Sequence, residues 1–326
     1  MSDRITLSTW PTPLEPMPRL ATALGLGEDD LWVKRDDLIG LGGGGNKVRK
    51  LEWTVGAALA EGADTLVTTG AAQSNHARLT AAAGARVGLD VVLVFPGTEA
   101  DRANGSGNLV LDSLFGARIH WAGDGAPSAL GDAAEDVCAQ LRESGAHPCL
   151  IPFGGSSPLG ARGYVDGGEE LLAQLPAVRH VVVALGSGGT MAGLIGALGE
   201  ERVLGVHCGA VADPAETVAG LTTALTRRDV APGSLRIRTD QVGAGYGTLH
   251  EPVLEAMRTA ATTEGIVLDP VYSGRALAGL ISAVRDGDIR RGERTVLLHT
   301  GGLPGVFGHA ETVRRTVTAL RSHPAG

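Results

Sequence analysis

Cysteine is scarce in this chain: Cys138, Cys149 and Cys208 are the three among 326 residues. The number is odd and the spacing is not that of metal ligands, which excludes a disulfide framework and a zinc site. Positive charge is not in excess either. The net charge of −8 comes with no basic patch, which argues against a nucleic-acid binder. No apolar run reaches membrane-spanning length, and the N-terminus MSDRITLSTWPTPLEP lacks an apolar signal core. The expectation is a cytoplasmic enzyme with neither nucleic acid nor membrane as partner.

What is present in quantity is glycine, 49 residues, beside 43% hydrophobic and 20% charged residues. That is the composition of a soluble globular α/β protein with many tight turns. At this length one hydrophobic core rarely suffices, so two domains are expected. Apolar strand-like runs alternate with helical patterns from Leu31 to Phe153: Leu31–Arg35, Thr65–Thr69, Val91–Phe95, Arg118–Trp121 and His147–Phe153. Alternation of this kind implies a parallel sheet covered on both faces. The cluster Gly154-Gly155-Ser156-Ser157-Pro158 marks a junction, after which a helix is expected over Gly167–Leu175. Strands at His180–Leu185, Val203–Cys208, Leu235–Thr239 and Thr295–Thr300 then alternate with further helices.

Three stretches carry chemistry. In Gly42–Trp53, GGGGNKVRKLEW, four glycines free the backbone and Asn46 is placed to cap the helix that follows. Lys47, at a glycine-cleared helix start, is a candidate to condense with the aldehyde of pyridoxal phosphate. A solvated lysine after a flexible loop is an equal alternative. A Walker phosphate loop is disfavoured, because Asn46 stands where its lysine must follow. Gly186-Ser187-Gly188-Gly189-Thr190 lies between an apolar strand and a helix, where free N–H groups bind phosphate; Met191 in place of a third glycine disfavours a dinucleotide. Gln73-Ser74-Asn75-His76 follows a strand's carboxyl end, where α/β ligands bind. Ser74 and Asn75 suit a carboxylate or merely cap a helix, and His76 by itself reads as a packed histidine. Of only three tyrosines, Tyr246 and Tyr272 sit in glycine-punctuated loops; on placement alone, packing is the safer reading of both.

Taken together, GGGGNKVRKLEW, TTGAAQSNHARLTAAA, GNLVLDSLFGA, GGSSPLGARGYV, GSGGTMAGL, DPVYSGRALAGL and LLHTGGLPGVFG resemble the D-cysteine desulfhydrase and 1-aminocyclopropane-1-carboxylate deaminase family. These are pyridoxal-phosphate enzymes of fold type II, the tryptophan-synthase β class. The resemblance runs in order from about Pro11 to Gly308. It implies two α/β domains, each an open, mostly parallel sheet with helices on both faces, and the cofactor in the cleft between them. The larger would join residues 1–47 to 161–326, and the smaller would span 48–160. A homodimer is implied as well.

Residue by residue, the resemblance implies that Lys47 binds the cofactor covalently and Lys50 reaches its phosphate. Ser187, Gly188, Gly189 and Thr190 would form the phosphate cup. Asn75 would hydrogen-bond the phenolic oxygen, and Ser273 would meet the pyridine nitrogen. Ser74 would contact the substrate carboxylate and shuttle a proton, with Asn75 and His76 beside it. Tyr246 and Tyr272 would face the substrate. The reaction implied is α,β-elimination from a β-substituted amino acid, D-cysteine before the rest. Ser273 and His76 stand where the cyclopropane deaminases carry Glu and Gln, which resembles the desulfhydrase branch. Arg162 stands where relatives mostly carry an apolar residue. A cation there would favour an acidic substrate such as L-cysteate, making a sulfo-lyase the alternative. A cyclopropane deaminase, or a protein that binds the cofactor without turnover, are further alternatives.

Overall fold

A computed structural model describes residues 4–124 and 129–319. From the N-terminus the chain forms β1 (Leu14–Pro16), α1 (Pro18–Ala23), β2 (Leu31–Arg35), α2 (Lys47–Ala60), β3 (Thr65–Thr69), α3 (Asn75–Val87), β4 (Asp90–Phe95), α4 (Asn108–Leu114), β5 (Arg118–Trp121), α5 (Ala129–Glu143) and β6 (Pro148–Ile151). It continues through α6 (Pro158–Gln174), β7 (His180–Leu185), α7 (Gly189–Leu198), β8 (Val203–His207), α8 (Pro214–Thr226), β9 (Arg236–Arg238), α9 (Glu251–Glu264), α10 (Ser273–Arg285), β10 (Thr295–His299), α11 (Leu303–Gly308) and α12 (Ala310–Thr318).

Two sheets result. The first has six strands in the order β1-β2-β10-β7-β8-β9, the second four in the order β5-β4-β3-β6. Every pairing is parallel except β1 with β2. The central strands β3, β7, β8 and β10 are buried at every residue, as strands covered on both faces must be. The larger sheet packs on one face against α9 and α10 through Val253, Ala256, Leu277 and Leu280. Its other face meets α6 and α7 through Leu171, Leu194 and Ile195. The smaller sheet buries Leu66 and Leu93 against Val48, Leu51 and Val55 of α2 and Leu79 of α3. Leu7, Ile39 and Leu41 join that same core, so the N-terminal segment packs on the smaller sheet as well as contributing strands to the larger one.

The helix expected to start at Gly167 begins nine residues earlier, at Pro158, with the Ser157 side chain accepting from the Gly160 N–H. Its glycines are close-packing sites rather than breaks. A Cβ on Gly163 would lie 2.1 Å from the Arg49 carbonyl oxygen of α2, and one on Gly168 2.6 Å from Ala197 Cβ of α7. Against that helix a buried charge network pins the first turn of α2. Arg49 Nε donates to Asp36 Oδ2 and Nη2 to Asp36 Oδ1, each at 2.9 Å. Its Nη1 donates to Glu170 of α6 at 3.0 Å, and the guanidinium lies 4.1 Å from the centre of the Trp10 ring. Lys34 pairs with the same Glu170. No helix among the described residues is long and apolar enough to cross a membrane.

Candidate active site

The carboxyl ends of β3, β6, β7, β8 and β10 open toward one cleft between the two sheets, the position at which parallel α/β sheets bind ligands. Its wall includes Asn46, Lys47, Ser74, Asn75, His76, Gly154, Ser187, Gly188, Thr190, Tyr246, Tyr272 and Thr300. Residues far apart in sequence therefore meet: the glycine loop before α2, the turn before α3, the turn before α7 and both loop tyrosines. None of the lining residues is acidic.

Lys47 is the first residue of α2 and half-buried at the cleft wall. Burial pushes its ammonium down to about 8, with the Arg78 guanidinium acting in the same direction and Cys208 and Asp269 opposing. Asn46 does not cap α2, contrary to expectation: its side chain makes no capping bond. Its Oδ1 instead accepts from Lys47 Nζ at 3.0 Å, and its Nδ2 donates to Thr190 Oγ1 at 3.0 Å. One amide thus links the amine to the turn before α7.

That turn is a cup built around missing side chains. A Cβ on Gly189 would sit 2.6 Å from Ser156 Oγ and 3.0 Å from Lys50 Nζ, and one on Gly154 only 2.0 Å from Ser187 Oγ. Gly188 takes φ +87°, a backbone open chiefly to glycine. Lys50, one turn beyond Lys47, is buried with its Nζ donating to Ser156 Oγ at 3.0 Å and the Gly154 carbonyl at 3.2 Å. Burial and the Lys47 charge hold it well below the ordinary lysine range. Ser156 also accepts from the Gly189 N–H at 3.1 Å and lies 2.7 Å from Ser187 Oγ. The cup therefore joins the N-terminus of the ten-residue α7, two hydroxyls and a buried ammonium, all suited to a phosphate. The amine of Lys47 opens into the same cleft. A phosphorylated aldehyde fits these residues, and pyridoxal phosphate is such a group.

At the N-terminus of α3, Ser74 caps the helix by accepting from the Ala77 N–H at 3.1 Å. Its own hydroxyl proton is left for the cleft, so capping and ligand contact do not compete. The Asn75 Oδ1 accepts from Asn108 Nδ2 at 3.1 Å, and Asn108 also holds the Gln73 carbonyl at 2.8 Å. With its oxygen engaged, Asn75 offers its NH2 to the cleft, a donor for an anionic phenolic oxygen. His76 is buried, and its Nε2 lies 2.9 Å from Thr68 Oγ1. Thr68 donates its one proton to the Ile151 carbonyl, so His76 must donate to it and keep a bare Nδ1. Burial and the nearby Lys47 and Lys50 charges keep this ring neutral, well below the ordinary histidine range.

Tyr246 and Tyr272 meet hydroxyl to hydroxyl at 2.7 Å, their rings edge to face with centroids 6.3 Å apart. Burial, reinforced by Tyr246, holds the Tyr272 phenol well above its ordinary range. The third tyrosine, Tyr164, is buried and donates to Asp36.

Two expected site residues stand elsewhere. Arg162 is exposed on α6, its guanidinium 4.7 Å from the centre of the Trp53 ring, and it does not line the cleft. The cation expected to recognise an acidic leaving group is spent on an aromatic face outside the site. Ser273 is wholly buried and does not line the cleft: its hydroxyl donates to Asp269 Oδ1 at 2.6 Å and accepts from the Asp269 N–H at 2.8 Å. The hydroxyl residue at that wall is Thr300. Thr300, Ser156 and Asn108 were missed from sequence; the glycine-rich GGSSP and HTGG settings of the first two were the available signals.

The model of the family described as pyridoxal-phosphate dependent enzymes matches residues 5–301. A relative from Pyrococcus abyssi, named "Putative 1-aminocyclopropane-1-carboxylate deaminase", is 42% identical over 94% of each chain. A D-cysteine desulfhydrase from Klebsiella pneumoniae is 40% identical over 94% of this chain and 96% of its own. A solved structure described as an ACC deaminase homologue superposes with a TM-score of 0.86 at 36% identity, covering 96% of this chain and 95% of the other. A solved bacterial-type match, a threonine deaminase at 23% identity and TM-score 0.63, covers 89% of this chain and 92% of its own and shares the fold. With its lysine and phosphate cup in one cleft and this match over most of its length, the chain belongs to the family of pyridoxal-phosphate-dependent enzymes.

Proposed function

We propose that this chain catalyses α,β-elimination from a β-substituted amino acid, with D-cysteine giving pyruvate, ammonia and hydrogen sulfide. The observation that carries the reading is a cleft with a low-pKa amine, several neutral donors and no carboxylate among its lining residues. Pyridoxal phosphate supplies the electron sink that acidifies the Cα–H bond. In this reading Lys47, Lys50, Asn75, Ser187, Gly188, Gly189 and Thr190 hold it. An opposite charge beside the pyridine nitrogen would keep that nitrogen protonated. The cleft offers it hydroxyls, so the sink is a weak one and suits a good leaving group.

The chain's own groups divide the remaining work. The α3 N-terminus and Ser74 hydroxyl bind the substrate carboxylate, aided by the helix dipole. The Lys47 amine, uncharged in a useful fraction near neutral pH, takes the Cα proton. The Cβ–S electron pair leaves with sulfur, whose path the Tyr246–Tyr272 pair borders. Released 2-aminoacrylate then hydrolyses to pyruvate and ammonia. His76 Nδ1 accepts from a donor entering beside Ser74.

A second reading, cleavage of 1-aminocyclopropane-1-carboxylate, is favoured by the name of the Pyrococcus abyssi relative at 42% identity. L-Cysteate loses its sequence argument with Arg162 outside the cleft. Measuring ammonia and 2-oxo acid from D-cysteine, 1-aminocyclopropane-1-carboxylate and L-cysteate side by side tests these readings, with D-cysteine expected to be fastest. The same proposal includes a division into a unit of residues 48–160 and a unit of 1–47 with 161–326, which sheet membership supports. It also includes a cytoplasmic homodimer, which sedimentation would check for assembly.

A further inference from the structure

Arg275 lies in the first turn of α10, three residues after Tyr272, and its side chain is fully buried. It makes no ion pair among the described residues. Its donors go to three backbone carbonyls instead. Nη1 donates to Cys208 at the end of β8 at 2.6 Å, and Nη2 to Gly245 at 2.9 Å and Thr248 at 2.7 Å. Gly245 and Thr248 flank Tyr246 in a loop where Gly243, Gly245 and Gly247 all take positive φ. Such a loop has little conformational preference of its own. A buried cation is costly to keep, and here the return is a loop tied to two fixed elements. His309 holds the far side of the loop, 2.7 Å from the Gly247 carbonyl.

We propose that Arg275 is the positioning residue of the tyrosine pair: it clamps the Tyr246 loop onto β8 and onto the helix that begins beside Tyr272. Tyr246 therefore meets Tyr272 before substrate arrives. This rests on the reading that the tyrosines face the substrate. Arg275 touches neither substrate nor cofactor and acts through Tyr246 alone.

The test is a cycle of four holoenzymes: unmodified, Y246F, R275M and the double variant, each assayed for kcat/KM on D-cysteine and for absorbance of the bound cofactor. R275M should lose about thirtyfold alone and no more than about twofold further in the Y246F background, because a residue acting through another adds nothing once its partner's group is gone. The cofactor absorbance should be unchanged in all four. Were R275M insoluble, R275Q takes its place under the same reading. An equal loss in both backgrounds, or no loss at all, would overturn the inference. If Y246F turned over D-cysteine as well as the unmodified enzyme, the tyrosine reading would fall and the inference with it, a result distinct from additivity.

Discussion

At the scale of the residue, function rests on displaced protonation. A lysine in water titrates near 10.4, whereas burial brings Lys47 to about 8. Only the neutral amine attacks an aldehyde, so its fraction rises with pH through the pKa. The rate at which the apo-protein captures pyridoxal phosphate should therefore rise to about pH 8 and then level. A rate still climbing at pH 10 would mean an ordinary exposed lysine. Arg162 is the converse case. From sequence alone a stray cation near a glycine-serine junction looked like a ligand, but the side chain's direction depends on where α6 begins. With its guanidinium on Trp53, Arg162→Leu should leave turnover of D-cysteine and L-cysteate alike and cost about 0.5–1 kcal/mol of stability in urea denaturation. A selective loss on L-cysteate would return it to the site. Lys47 was legible because its neighbours are glycines. Thr300, Asn108 and Ser156 were not, since each acts through partners from distant segments.

At the scale of the element, glycine misled and informed at once. In the turn before α7 it marked a phosphate cup, and the structure puts side-chain atoms where Cβ atoms would be. Gly189→Ala should force Ser156 and Lys50 off the cup and weaken cofactor affinity about tenfold, or ~1.4 kcal/mol, as read by fluorescence titration. Unchanged affinity would place the phosphate elsewhere. In α6 the same residue type hid the first half of the helix, because single-sequence propensity counts glycine as a breaker whereas close helix contact selects it. The charge network on α6 is likewise invisible until α2, β2 and α6 are packed. Burial works against ionising Asp36, yet the Arg49 guanidinium holds its carboxyl below the ordinary range. A depressed carboxylate stabilises fully above its unfolded value near 3.9, and that stability is lost as pH falls through the lower folded value. Asp36→Asn should cost about 3 kcal/mol at pH 7 in urea denaturation, and the gap should narrow below about pH 4. An equal gap at pH 7 and pH 3 would remove the charge from the account.

At the scale of the whole molecule, strand–helix alternation gave the parallel sheets, and the strand ends then fixed where a cleft must lie. The edge strand β1 and the last helices α11 and α12 were not read beforehand: three extended residues beside prolines and a six-residue helix leave too short a pattern. Chain connectivity explains why one cleft collects Lys47, the α3 and α7 termini and both tyrosines. Each follows or precedes a buried strand or helix whose end faces the same gap. The central claim is that this cleft, holding Lys47 and lacking a carboxylate, runs an elimination with a good leaving group. The most direct measurement is 2-oxo acid release by the holoenzyme and its Lys47→Ala variant, with D-cysteine and 1-aminocyclopropane-1-carboxylate in parallel. The account predicts rapid pyruvate formation from D-cysteine, little product from the cyclopropane, and a fall of at least about a thousandfold in the variant. Comparable turnover of the cyclopropane, or a variant that retains activity, would contradict it.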